Sequence, residues 1–186
     1  MDQIADNVAY PEKSSLCTIR QFIIEVCICL AAVFLLRAYV FVVVNVPTGS
    51  MLNTIQLNDR IIGNKLAYRF HEPERGDIII FNFTQDSNDT LYIKRLIGLP
   101  GDTIEIEDAQ LIINGRTIKE DYLYDDWLIG NDDMVFTVPE DCYFFLGDNR
   151  NDSFDSRFWD YPYVSETDII AKAELTLFPF QHIKCL

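Results

Sequence analysis

Hydrophobic and polar positions fall into two textures along the chain. From Phe22 to Leu36 the side chains are apolar at every position but Glu25. Those 15 residues make a helix of about 22 Å, short of a hydrocarbon core of about 30 Å. Extending the run from Ile19 to Val44 gives 26 residues and takes in Arg20, Gln21, Glu25 and Arg37. The two arginines flank the apolar core, where long stems reach back to head groups. The pattern predicts one transmembrane anchor. A cleavable signal peptide fits less well, because no A-x-A-like site follows and Arg37 interrupts the exit. A buried helix of a soluble domain is the other alternative. Lys13 and Arg20 stand against Asp2, Asp6 and Glu12, so the flanking charges do not orient the segment.

Beyond Arg37 the period changes. Ala38 to Val46 is rich in β-branched and aromatic residues, reading either as the end of the helix or as a first strand, and Pro47 ends it. Short strands are then predicted at Asp59–Asn64, Asp77–Phe83, Leu91–Ile97, Thr103–Ile106, Leu111–Ile113, Met134–Val138, Cys142–Leu146 and Ile169–Leu177. Turn signals separate them: Pro73–Gly76, Pro100–Asp102, Asn114–Gly115, Pro139–Asp141 and Gly147–Asn149. Asn114–Gly115 before Thr117–Ile118 is a strong hairpin signal. The predicted fold is mainly β with antiparallel strands. Its organisation is a polar tail over 1–18, an anchor over 19–44 leading into the first strand, and a domain over 45–186.

Charge narrows the function. The chain of 186 residues carries a net charge of −14, and residues 45–186 alone carry −13. That excludes the basic face nucleic-acid binding needs, and reads as a water-facing acidic domain, with attraction of a basic partner as the lesser alternative. The five cysteines give no disulfide framework, although a Cys142–Cys185 bridge is conceivable. His71 and His182 are too few and too far apart to predict a metal site.

Four stretches carry possible chemistry. Gly49 allows a tight turn that presents the Ser50 hydroxyl in Pro47-Thr48-Gly49-Ser50-Met51, although most serines beside glycine and proline are only turn residues. Lys94 lies inside the apolar strand of Tyr92-Ile93-Lys94-Arg95-Leu96-Ile97-Gly98. An alternating strand puts it on the face of Tyr92 and Leu96. If buried, its amine loses its proton more readily and becomes a base for a serine hydroxyl; a half-exposed surface lysine is the plainer reading. Gly147-Asp148-Asn149-Arg150-Asn151-Asp152-Ser153-Phe154-Asp155-Ser156-Arg157 is a polar loop whose Asp/Arg density suits an ion-pair network. Arg75-Gly76-Asp77, taken alone, is a turn.

In this order, and after an anchor, these stretches resemble the bacterial-type I signal peptidases, membrane-bound serine proteases with a Ser/Lys dyad. The resemblance covers roughly residues 20–178. It implies a β-sheet catalytic domain with a small barrel-like core on the extracytoplasmic side of the plasma membrane, and a short inserted hairpin region over 107–140. It implies removal of signal peptides from secretory preproteins, cutting after small residues in A-x-A-like sites, without metal or cofactor. By the same resemblance Ser50 is the nucleophile and Lys94 its general base. Thr48 and the Ser50 N–H bind the oxyanion, and Ser153 orients the lysine. Asp155 and Arg157 brace that wall with help from Asp148 and Arg150. Val46, Pro47, Met51, Tyr92 and Ile93 line the substrate pocket.

Departures are few. Asn53 stands where the family usually has proline, which is expected to loosen the turn after Ser50. Asn151-Asp152 reverses the commoner acid-then-amide order. A soluble self-cleaving repressor-type Ser/Lys protease is a rival reading, but it needs a DNA-binding helix-turn-helix where this chain has an apolar run. A catalytically dead scaffold is another, and it predicts loss of Ser50, Lys94 or Ser153, all of which are present.

Overall fold

An apolar helix, α1 (Ser15–Tyr39), opens the described part of a computed structural model, which covers residues 15–85, 90–128 and 133–186. Its segment Thr18–Tyr39, 22 residues, is long and apolar enough to cross a membrane, spanning about 33 Å at 1.5 Å per residue. Gln21 Nε2 donates to Glu25 Oε1 one turn on, 3.1 Å away, so the carboxylate inside the apolar run has a local partner. The expected tail over 1–18 lies mostly outside the described residues, and Ser15–Thr18 already belong to the helix. The expected anchor boundary at Val44 moves to Tyr39. Val42, Val43 and Val44 instead pair with a neighbouring strand, which suits β-branched side chains better than the wall of a helix.

The helix and the β-rich body Tyr39–Leu186 form separate compact units. The body holds twelve described strands and a one-turn helix α2 (Ala67–Phe70). Its larger sheet contains β1 (Phe41–Asn45), β2 (Arg60–Asn64), β3 (Ile78–Phe83), β4 (Thr90–Gly98), β9 (Cys142–Leu146), β10 (Val164–Ser165), β11 (Ile169–Phe178) and β12 (Lys184–Cys185). The order is β1-β2-β11-β3-β4-β9-β10, with β12 also paired to β11. All these pairings are antiparallel. Among the described residues the hydrogen-bonded path ends at β1 and β10 and does not return on itself, so their strand pairing alone does not make the expected barrel-like core.

A second sheet has the order β7-β6-β5-β8, from β5 (Thr103–Glu107), β6 (Gln110–Ile113), β7 (Arg116–Ile118) and β8 (Met134–Thr137). Asn114 and Gly115 connect β6 to β7 with positive φ at both positions (52° and 73°), as a two-residue I′ hairpin turn requires. The region expected as a short hairpin is thus part of a four-stranded sheet.

β3 explains why a strand can be apolar at consecutive positions. Ile78 and Ile80 enter one core with Val44, Met51, Ile55, Ile61 and Ala171. Ile79, Phe81 and Phe83 enter another with Leu96, Phe145 and Trp159. Both faces of the strand are covered, so period-2 alternation is hidden under continuous hydrophobicity. A third core, around Ile104, Leu111, Phe144 and Leu146, ties the second sheet to β9. Cys142 and Cys185 are both free thiols. His182 Nδ1 lies 2.8 Å from the fully buried Asp59 carboxylate, a packing role for that histidine.

Candidate active site

Three chain segments converge on one cavity. The loop after β1 supplies Val46, Pro47, Thr48, Ser50 and Met51, β4 supplies Tyr92, Ile93 and Lys94, and the segment after β9 supplies Asp152 and Phe154. The cavity measures about 590 Å³. All five residues expected to line a substrate pocket face it, together with both members of the expected dyad.

The loop holding Ser50 is fixed by main-chain bonds. Leu52 N donates to Gly49 O (3.2 Å) and Ile55 N to Met51 O (2.7 Å). Asn149 clamps it from outside: its backbone N–H donates to Ser50 O (3.0 Å) and its Nδ2 to Gly49 O (3.1 Å). Met51 and Ile55 are buried in the core below. The turn expected to be loosened by Asn53 is therefore hydrogen-bonded on both sides of Ser50. Thr48 Oγ1 and Ser50 Oγ lie 3.4 Å apart.

Lys94 is 4% exposed, and its Nζ donates to Ser153 Oγ at 3.1 Å. Among the described residues no hydrogen bond joins Nζ to Ser50 Oγ directly. Burial is the strongest influence on this amine and lowers its pKa from 10.5 to about 8; Asp155 opposes the shift and Arg157 reinforces it. About a tenth of the side chain is then neutral at pH 7.

The segment carrying Ser153 is held by buried ion pairs. Arg157 Nε and Nη2 donate to Asp155 Oδ1 and Oδ2 at 2.8 and 2.9 Å, and Arg157 Nη2 also reaches Arg150 O at 2.8 Å. Asp155 Oδ2 accepts from Gly147 N at 3.0 Å. Asp148 and Arg150 pair elsewhere and not with each other. Asp148 takes a two-pronged contact from Arg95, at 2.7 and 2.6 Å, and a bond from the Thr54 hydroxyl. Burial works against the charge on Arg95, but the hydrogen bonds and charge of Asp148 outweigh it and raise its pKa. Arg150 is gripped by both oxygens of Glu120 and donates Nε to Gly147 O. The Trp127 ring lies under two guanidinium groups, Arg150 at 4.6 Å and Arg157 at 5.3 Å.

Gly147 sits where these elements touch. A Cβ there would lie 2.2 Å from Ser153 Oγ and 2.5 Å from Ser50 O, so only glycine fits. Arg75-Gly76-Asp77 lies away from the cavity. Arg75 pairs with Asp102 at 2.9 Å, and Asp77 accepts from Tyr68 and pairs with Lys172.

Sequence reasoning missed Asn149, Thr54, Arg95, Glu120 and Trp127. Asn149 stood inside a quoted stretch but read as a turn former. Arg95 adjoins Lys94 and points to the opposite face, a placement that strand alternation alone anticipates.

The described residues contain no group of three or more His, Cys, Asp or Glu arranged to hold a metal ion. The family model described as "Signal peptidase, peptidase S26" matches residues 19–178. A "Signal peptidase I" of Leptolyngbya laminosa is 38% identical over 156 residues, 80% of this chain and 74% of its own length. A "Signal peptidase I P" of Bacillus subtilis subsp. natto is 36% identical over 181 residues, 93% of this chain and 96% of its own. The crystal structure of a signal peptidase I from Enterococcus faecalis V583 aligns at 36% identity with a TM-score of 0.47, over 55% of this chain and 97% of that one.

Proposed function

The chain belongs to the signal peptidase family S26, and on that premise we propose that it is a membrane-anchored endopeptidase that removes signal peptides from secreted preproteins, with Ser50 as nucleophile and Lys94 as general base. One observation carries this reading. A lysine, desolvated and held by Ser153, lines the same cavity as a serine on a clamped turn.

The steps follow from that arrangement. The neutral Lys94 amine takes the Ser50 hydroxyl proton as Oγ attacks the scissile carbonyl. The open spacing between the two groups tightens when substrate seats Ser50, as catalytic hydrogen bonds in unliganded sites commonly do. Thr48 Oγ1 and the Ser50 N–H receive the oxyanion, each such donor contributing about 10²–10³ in rate. The Lys94 ammonium returns its proton to the leaving amine, and the amine then activates the water that frees the acyl group. Val46, Pro47, Met51, Tyr92 and Ile93 form an apolar floor for small side chains one and three positions before the cut. β1 ends the sheet path, and an extended substrate adds beside it. The partners are preproteins delivered by the secretion machinery and the lipid around α1, with the catalytic body on the extracytoplasmic face of the plasma membrane.

A serine-reactive lactam tests the nucleophile. Mass spectrometry of the digested adduct is expected to find one acylated residue, Ser50, and none in Ser50→Ala. Acylation of another serine, or of the alanine variant, contradicts the assignment.

A further inference from the structure

The rim of the cavity carries two side chains that take no step in the reaction above; burial dominates the Lys94 amine, and the Asp152 charge is a weaker influence that opposes it. Along Asp152–Asp155 exposure alternates: Asp152 exposed, Ser153 buried, Phe154 exposed, Asp155 buried. Ser153 is extended, with φ −134° and ψ 120°. In extended backbone, residues two apart project to the same side. Asp152 and Phe154 therefore stand together, and both line the cavity.

Neither is buried in the fold. Phe154 is 53% exposed and makes an edge contact with Phe83, centroids 6.3 Å apart. Among the described residues no side-chain partner holds the Asp152 carboxylate. The two neighbouring positions are fixed, Ser153 by Lys94 and Asp155 by Arg157 and Gly147. The rim pair is thus presented from a rigid base.

A carboxylate beside an exposed aromatic ring matches a side chain with an apolar stem and a cationic head. The stem lies on the ring and the head reaches the carboxylate. We propose that Asp152 and Phe154 form a specificity site for a lysine or arginine of the substrate. This inference rests on reading the cavity as the peptidase site. In an extended substrate the residues one and three before the cut face the floor, so the residue between them faces the rim. That intervening position is the one selected, and the net charge of −13 over residues 45–186 favours the same sign of partner.

The test uses the full chain in detergent and preproteins that differ only in that intervening residue: Lys, Arg, Leu, Ala or Glu. Wild type is expected to prefer Lys over Glu about three- to tenfold in kcat/KM, the range of an exposed ion pair plus a ring contact. The ratio is expected to shrink with added salt. Asp152→Asn is expected to bring it below about twofold, and Asp152→Lys to invert it. Phe154→Ala is expected to lower the Lys and Leu substrates relative to Ala, and Phe154→Tyr to restore them. Equal wild-type rates across the series, or a Lys/Glu ratio unchanged in Asp152→Asn, overturns the rim site. Failure of folded wild type to cut any member overturns the peptidase reading instead.

Discussion

In the proposed mechanism, Lys94 is the residue on which the chemistry turns. Burial disfavours its ammonium, so the neutral base gains population as pH rises through about 8. The expected kcat/KM profile climbs between pH 6.5 and 8.5 and levels above, as measured with a soluble peptide over pH 6–10. A flat profile across that range contradicts the assignment. The same shift acts on stability. Between about pH 8 and 10.5 the unfolded chain holds more protons at Lys94 than the folded one, so its share of stability rises with pH through that window. The full change is roughly 3 kcal/mol, and Lys94→Met is expected to remove that rise in urea unfolding. Gly147 is the second sensitive residue. A methyl there collides with Ser153 Oγ and the Ser50 carbonyl. Gly147→Ala is expected to lower kcat about 10²-fold by displacing both groups; activity within threefold of wild type would show that the loop yields at no cost.

At the scale of elements, the loop Gly147–Arg157 is held rigid because Asp148, Arg150, Asp155 and Arg157 are paired inside the protein, while Asp152 stands exposed at the rim. Glu120 and Arg150 side chains are 5% and 1% exposed. Removing one member of such a pair leaves the other charged and dry, at a cost of about 3–5 kcal/mol. Glu120→Ala is therefore expected to lower unfolding free energy by that amount, although Glu120 lies outside the cavity. A loss under 1 kcal/mol would mean that water reaches Arg150.

Strands β2–β6, β8, β9 and β11 were legible in the sequence, because apolar runs end at turn residues whose conformations only a few side chains accept. Asn114–Gly115 marked β7 for the same reason. The strands β10 and β12, of two residues each, left no pattern to read. The ambiguity at Ala38–Val46 had a physical source, since the same valines suit an apolar helix and a paired strand. At the candidate site, the stretches holding Ser50, Lys94 and Ser153 were legible as contiguous motifs, and the fold brings the three residues together. Their supports were not legible: Asp148 pairs with Arg95, 53 positions away, and Arg150 with Glu120, 30 away. Pairing over such separations is decided by the fold and leaves no local spacing to count.

For the whole molecule, the apolar helix and the family it belongs to make this a membrane-anchored protein. In the proposed function, the anchor confines the enzyme to the surface where a tethered substrate also lies, raising their effective concentration without any new contact. The acidity of the body, −13 over residues 45–186, favours its solvation. The central claim is that this assembly cuts preproteins through a lysine-activated serine. Its most direct test incubates the purified, detergent-solubilised chain, beside its Lys94→Ala variant, with a preprotein carrying an A-x-A site. The account predicts cleavage after the second alanine by wild type, and at least a 10³-fold slower rate for the variant, the order expected when a triad-type catalytic group is removed. Equal cleavage by both, or none by folded wild type, would contradict it.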